Sequence, residues 1–505
     1  MTSVCLLGAC DHSNKVSERV EASSAVATNA PSKTGEIAWY KGSVEQAIAA
    51  AVHDKKPLLV YWGAKWCPYC QALRKTVFTR PDFIANTRLF VPVYLDGDLP
   101  GAQAWAEIFK VSGYPTLLIL KPDRTELGRM SGGMDLSQYA TLLDEALQEQ
   151  RPILDALRNA NNPEDCHRLA YNGWDPAALP GVSVDQLRSF LSIAASRCKG
   201  SDQVRLQLEA LDLALQDTVE HAGTPDHNAA PDYGALVVQI RDLSALLDRP
   251  DEIRSVIDVL AGLNESVFTL VTQQGPEFAA SVRTRWVARM QEAADDQRFG
   301  DADRLTFIAS FLAATRALTS DHAIPITMQA FARGRVTQAL EADRDRFKRN
   351  DLVNAAGIIY DELGDSEVAR LLYLKELPNS RTPYYYMSHL AAITEKQGKS
   401  QEALDWMAKA YSAAQGEGPA TRLRWGSSYV RALIRLAPDD AARIRTAALQ
   451  VAAEASQTGT VHARSRVALE QINGALAQWA NTPQRRAIAA EVAARFLKDP
   501  TVHQA

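Results

Sequence analysis

Between residues 37 and 150 the chain alternates two kinds of apolar pattern. "SVEQAIAAAVHDKK" repeats its apolar residues at helical spacing and opens on Ser43 with Gln46 three residues on, a capping box. "PLLVYWG" is a continuous apolar run of strand length, followed closely by a helical stretch, "QALRKTVF". "RLFVPVYLD" reads as a second buried strand and "GAQAWAEIFK" as a helix. "PTLLIL" and "ELGRMSG" read as the last two strands, and "DLSQYATLLDEALQEQ" as a closing helix. Strands that are apolar throughout are buried on both faces, so this pattern predicts a sheet with helices on each side. From about residue 151 the alternation stops. Apolar residues then recur at three and four, with polar or Gly/Pro breaks, and the expectation is all helix.

Within the helical part, residues 351–415 repeat at a period of 34. Gly357 pairs with Ala391, Gly364 with Gly398, Ala369 with Ala403 and Tyr373 with Met407. Small residues where helices cross, a glycine at the turn and a large residue further on resemble the tetratricopeptide pattern, which Tyr360 also fits. "YVRALIRLAPDDAARIRTAALQ" reads as a third helical hairpin. The expected division is an all-helical region over 151–345 and tetratricopeptide-like repeats over 346–505. A polar insert, "EHAGTPDHNAAPD" at 220–232, is expected to be a loop that separates an N-terminal helical block from the rest. The resemblance implies a scaffold or protein-binding surface. No catalytic cluster stands out: the histidines at 167, 221, 227, 322, 389 and 462 are scattered, and "YYYM" at 384–387 with Trp406 reads as packing between helices.

Composition narrows the class. A chain of 505 residues, 46% hydrophobic and 23% charged, is an ordinary globular protein of several domains. A net charge of −5, with both signs mixed along the chain, excludes nucleic acid or an anionic membrane as the principal partner. No apolar run is long enough to span a bilayer. The start "MTSVCLLGAC" lacks a basic leader, yet Leu7-Gly8-Ala9-Cys10 resembles a bacterial lipobox, which would make Cys10 a lipidation site if the true start lies upstream. Residues 11–36 have no aromatic residue and many Ser, Ala and Asn, the composition of a flexible linker. At that length it would reach roughly 25–30 Å. Localisation in the periplasm or cell envelope, with membrane contact only through such an anchor, follows; a cytoplasmic location is the alternative.

The chemistry rests on "KWCPYCQ" at 65–71. Cys67 and Cys70 lie between an apolar strand and a helix, and "SGYPT" follows 45 to 49 residues after Cys67. These features resemble the thioredoxin fold, and specifically the periplasmic reductase-type domains of thiol:disulfide interchange proteins. "TVF" at 76–78 followed by Pro81 and Phe83 belongs to the same resemblance. The fold class is therefore an α/β thioredoxin-like domain followed by an all-α helical-repeat region. The helix N-terminus would favour a Cys67 thiolate, with Lys65 adding positive charge. Cys67 is then the nucleophile and Cys70 the resolving thiol, with no cofactor beyond their own redox-active disulfide.

The resemblance further implies a cis peptide at Pro115, with Tyr114 and Trp66 positioning substrate. Its implied partners are protein thiols or disulfides, an upstream redox partner and a protein on the repeats. A zinc half-site would need a second ligand pair, which is absent from the sequence, and no metal is expected. Two departures stand out. Thioredoxins keep a buried acid six residues before the first cysteine, where this chain has Tyr61, so proton transfer at Cys70 is expected to be slow. The Pro-Tyr dipeptide, with "SGGMD" at 131–135, is the one typical of glutaredoxins, so a glutathione-linked reductase stays open. A scaffold that keeps its thioredoxin module for binding is the other alternative. Cys166 and Cys198 are candidates for a structural disulfide in an oxidising compartment.

Overall fold

The computed structural model describes residues 35–111, 113–132, 138–159, 163–179, 181–221, 233–263, 266–342, 348–457 and 463–496. Cys10, its lipobox-like surroundings and the linker as far as residue 34 lie outside them. The fold class expected from the sequence holds: an α/β domain comes first and an all-α region follows.

The first domain opens with α1 (Val44–Asp54), where the capping box of Ser43 and Gln46 forms as predicted. It continues through β1 (Leu58–Gly63), α2 (Pro68–Thr76), α3 (Pro81–Thr87) and β2 (Val91–Asp96). Next come α4 (Pro100–Phe109), β3 (Thr116–Leu120), β4 (Glu126–Ser131) and α5 (Gln138–Gln148). The sheet order is β2-β1-β3-β4, with β1 parallel to β2 and antiparallel to β3, and β3 antiparallel to β4. All six residues of β1 are buried, because both faces are covered. Leu59 and Tyr61 pack with Leu73, Phe83 and Leu143, while Leu58, Val60 and Trp62 pack with Ala47, Ala51 and Phe109. This is the period-two alternation of a central strand.

Sequence periodicity does not announce α3, which has seven residues, two short turns, and starts on Pro81. A segment that short cannot display an amphipathic repeat, although it buries Phe83 and Ile84. The edge strand β4 is covered by the next domain. Asn172 accepts from the Arg129 N–H at 2.9 Å, and the Gly173 N–H donates to the Arg129 carbonyl at 2.9 Å. Pairing an edge this way removes an exposed template for aggregation. The Arg129 guanidinium turns inward to the carbonyls of Phe109 and Lys110 at the C-terminal end of α4, and pairs with Glu126 at 2.7 Å.

In the helical region successive helices pack as hairpins: Val184–Arg197 on Gly200–His221, Pro276–Asp295 on Asp301–Leu318, and Pro419–Leu436 on Ala441–Gln457. Cys166 is bonded to Cys198. Residues 222–232 of the polar insert are outside the described residues, but the helices flanking it share one core: Leu208 and Leu211 cluster with Leu236, Ile240 and Leu243. The insert therefore interrupts the chain without separating two blocks, a correction to the sequence reading. The same core runs on to Ile359.

The repeated segments fold as Lys348–Glu362 with Ser366–Glu376 and Pro383–Lys396 with Ser400–Ala413. Gly364 and Gly398 take φ of +79° and +74° at equivalent turns, where a side chain would be strained. The Asp365 N–H meets the Tyr360 carbonyl at 2.8 Å, and 34 residues later Lys399 meets Thr394 at 2.9 Å. Ala369 and Ala403 are fully buried. Tyr384 and Tyr386 are buried between helices, as the packing reading of that stretch expected.

The helical region turns back onto the first domain. Arg466 pairs with Glu107 of α4, 359 positions earlier. Gly418 sits so close to Asp98 that a Cβ there would lie 2.7 Å from the Asp98 Cα. Tyr69 of α2 reaches Asp303.

Candidate functional site

Cys67 is the N-cap of α2, with extended backbone (φ −69°, ψ 120°), and Pro68 occupies the first helical turn. Proline suits that position because its missing N–H has no partner to lose there. The Cys67 Sγ accepts from the Cys70 backbone N–H at 3.2 Å. A cysteine thus does the work that Ser or Asp does at an ordinary cap. Both sulfurs are free thiols, and both are buried, Cys67 being 3% exposed and Cys70 0%. Beside them the Tyr114–Pro115 peptide is cis. Tyr114 stacks on Trp62 (5.6 Å between centroids) and meets Trp66 edge-on (5.5 Å). The Trp66 Nε1 donates to Asp98 at 3.2 Å, which pins the indole at the rim of the site.

The two thiols behave as one acid. They are coupled across the α2 cap, so ionising one makes the other hold its proton. Cys67 is held well above the ordinary thiol range, first by its bond to Cys70, then by burial and by the charges of Cys70 and Asp351. Cys70 is lowered: burial opposes this, but Cys67, the Ala64 backbone, Tyr61 and Arg74 all favour its anion and together outweigh it. The cap N–H does stabilise the Cys67 anion, yet in this closed, buried pair Cys70 has more stabilising neighbours.

The Lys65 side chain is 79% exposed and lies 3.6 Å from Asp96. Tyr61 lies inside. Its hydroxyl is buried against the sheet with no well-aligned partner, and it favours the Cys70 anion. Burial, followed by the neighbouring Cys70, drives its own pKa far up, so it stays protonated and is no base for that sulfur. Arg74 lies over Tyr94 at 4.7 Å and Tyr61 at 6.0 Å, beneath the pair.

Two acids at the site carry no sequence signal. Tyr69, between the two cysteines, donates its hydroxyl to Asp303 Oδ1 at 3.1 Å, across 234 residues of chain. Asp351, on the adjoining helix, is near enough for its charge to bear on Cys67 and Tyr69. Burial, with Asp303 nearby, pushes its carboxyl up to about 7. Motif reasoning had no means of finding these acids, because only the packing of intervening helices brings them to the site. Cys166 and Cys198, Cα atoms 5.6 Å apart, lie in the core of the first helices after the α/β domain. Of "SGGMD", residues 133–135 are outside the described residues.

Residues 44–147 match the family of thioredoxin-like domains. The chain is also 23% identical over 187 residues to protein disulfide-isomerase erp38 of Neurospora crassa. That match takes in 35% of this chain and 46% of that protein, so the chain spans less than half the length of the relative. Domain and relative together support thiol–disulfide oxidoreductase activity in general.

Proposed function

We propose that the CPYC pair exchanges disulfides with protein substrates in the bacterial cell envelope, and that the helical repeats engage a protein partner. The observation that carries this is the cysteine N-cap: two free, buried thiols at the start of α2, with the Cys70 N–H donating to the Cys67 sulfur, next to Pro115. In the reducing direction the Cys67 thiolate attacks one sulfur of a substrate disulfide. A Cys67–substrate bond forms and the other substrate sulfur leaves as a thiolate that takes up a proton. Cys70 then loses its proton and attacks the Cys67 sulfur as a thiolate. The second substrate thiol departs, two electrons have passed to the substrate, and the pair is left as a disulfide for a dithiol donor to reduce. The envelope location is supported by the Cys166–Cys198 bond and by Leu7-Gly8-Ala9-Cys10.

The glutaredoxin alternative is disfavoured by the charges around the pair. Asp98 at the Trp66 indole and Asp303 at the Tyr69 hydroxyl set carboxylates at its rim, an unfavourable setting for anionic glutathione.

With dithiothreitol as donor, the full chain is expected to reduce a protein disulfide, and Cys67→Ala to lose at least about 100-fold of that rate. Cys70→Ser is expected to accumulate mixed disulfides with its substrate. Undiminished turnover in Cys67→Ala would exclude the pair as the site of exchange and leave the scaffold reading in its place.

A further inference from the structure

A thioredoxin-like domain needs only its own surface to present a redox pair, yet here the pair meets a second wall. Tyr69, on the first turn of α2, hydrogen-bonds Asp303 at 3.1 Å. Asp303 sits at the N-terminus of the Asp301–Leu318 helix and also accepts a backbone hydrogen bond from Gly300. The wall is held from other directions as well, by the Glu107–Arg466 pair and by the contact of Gly418 with Asp98. Access is narrow: Cys67 is 3% exposed, whereas Tyr69, beside it, is 36% exposed.

We propose that Asp303, tied to the motif through Tyr69, is a positioning residue for the Cys67–Cys70 pair, so that the helical region completes the redox site and biases the pair toward giving up electrons. This rests on the proposed thiol–disulfide exchange and adds a direction to it. The wall presents carboxylates, Asp303 with Asp351 behind it. The cations near the pair belong to the first domain: Lys65 is turned to Asp96, and Arg74 lies over the tyrosine rings under the sheet. Burial and the charges of Asp303 and Asp351 keep the Tyr69 phenol protonated, so Tyr69 is the donor in the bond. Negative charge disfavours the Cys67 thiolate, Asp351 by its own charge and Asp303 through the Tyr69 hydroxyl that it holds beside the sulfur. Thiolate stabilisation belongs only to the reduced form, so weakening it shifts the couple toward the disulfide and makes the dithiol a stronger reductant. The same wall slows Cys67 as a nucleophile until a substrate, approaching along Tyr69, displaces or neutralises it.

The test uses the full chain, with Cys67 alkylation followed by peptide mapping and the redox equilibrium measured in glutathione buffers. Asp303→Asn keeps the acceptor oxygen for Tyr69 and removes the charge. It should raise the rate of Cys67 alkylation by neutral iodoacetamide at pH 7 by three- to tenfold. It should move the equilibrium toward the dithiol by a similar factor, about 15–30 mV upward in potential. It should also reduce the preference of Cys67 for cationic over anionic methanethiosulfonate reagents. Asp303→Glu should restore that preference, and Tyr69→Phe, which loses the bond but keeps the charge, should lie between. A merely structural contact would change unfolding midpoints and leave the alkylation pH profile, potential and charge preference at wild-type values; that result overturns the proposal. If the wild-type pair cannot be oxidised and reduced reversibly, the proposed function fails and this inference fails with it. If the pair cycles and Asp303→Asn matches wild type, only the second wall is lost.

Discussion

The two regions of this molecule reach their structures by different routes. In the α/β domain, β1 pairs with β2 and β3 in fixed register, and every residue of it is enclosed by helices. Its chemistry is local, with Cys67 and Cys70 related by a single helix cap. The helical region packs successive helices against one another, and its contribution to the site is remote. Asp303 and Arg466 arrive only after some 230 and 360 residues of chain have been stacked. A sheet domain can carry a reactive motif as a self-contained unit. A helical array contributes surfaces whose positions are the sum of many small helix-to-helix rotations.

The sharpest break between the regions is covalent support. The Cys166–Cys198 bond closes a loop at a sequence separation of 32. In the chain-entropy account such a loop contributes about 3–4 kcal/mol by restricting the unfolded chain. The double substitution Cys166→Ala/Cys198→Ala should therefore lower the unfolding free energy of the helical region by about that amount. The α/β domain, where the described cysteines are both free, should keep its amide-exchange protection except at the β4 edge covered by Asn172 and Gly173. Equal loss of protection across β1 and β3 would mean that the two regions unfold as one.

A smaller effect distinguishes them by pH. Glu209, on the Gly200–His221 helix, lies 3.7 Å from Arg205. Burial pushes its carboxyl up to about 7 against the opposing charge of Arg205, and Asp212 and Asp258 add to the rise. The folded protein binds this proton more tightly than the unfolded chain, whose value is near 4.5. Between about pH 4.5 and 7 the native state therefore holds more protons, and stability falls as pH rises. Above about 7 the loss is complete. Glu209→Gln removes this slope, and urea denaturation should show the variant gaining on wild type by at most about 3 kcal/mol at pH 8 and by nothing at pH 4. The same difference at both pH values would assign the effect to packing.

This contrast also explains what could be read from the sequence. The strands, the α1 cap and the glycine turns at 364 and 398 follow from local pattern, and each was legible. Tyr61 was legible as a departure, but its part was not. A phenol in place of an acid suggested a poor base, and what the sequence does not display is the burial that holds that phenol protonated beside Cys70. Which sulfur of the coupled pair holds the proton was not legible, for a related reason. A helix N-terminus is visible in sequence, but the burial of both sulfurs and the proximity of Asp351 are not. The α3 helix escaped because seven residues are too few for a period. Asp303 escaped because no local rule joins position 69 to position 303.

The smallest predicted effect tests whether the repeat itself has physical content. Gly357 lies inside a helix, where alanine is intrinsically better by about 1 kcal/mol. A Cβ at that position would fall 2.1 Å from the Tyr373 hydroxyl oxygen and 2.2 Å from its ring carbon Cζ, and Tyr373 is held by stacking on His389 at 5.0 Å. Overpacking of this kind costs about 1–3 kcal/mol, so Gly357→Ala should be destabilising by about 1–2 kcal/mol despite its better propensity. In the next hairpin the equivalent positions hold Ala391 and Met407, a larger residue against a more flexible one. If the 34-residue equivalence reflects one packing solution used twice, changing Gly357→Ala together with Tyr373→Met transplants the second hairpin's pair into the first. Tyr373→Met alone should destabilise, because a buried ring is lost. The double variant should be more stable than the two single losses predict, by about 1 kcal/mol in a double-mutant cycle. Strict additivity would show that glycine and tyrosine at 357 and 373 do not answer to each other, and the match between the hairpins would then be one of spacing alone.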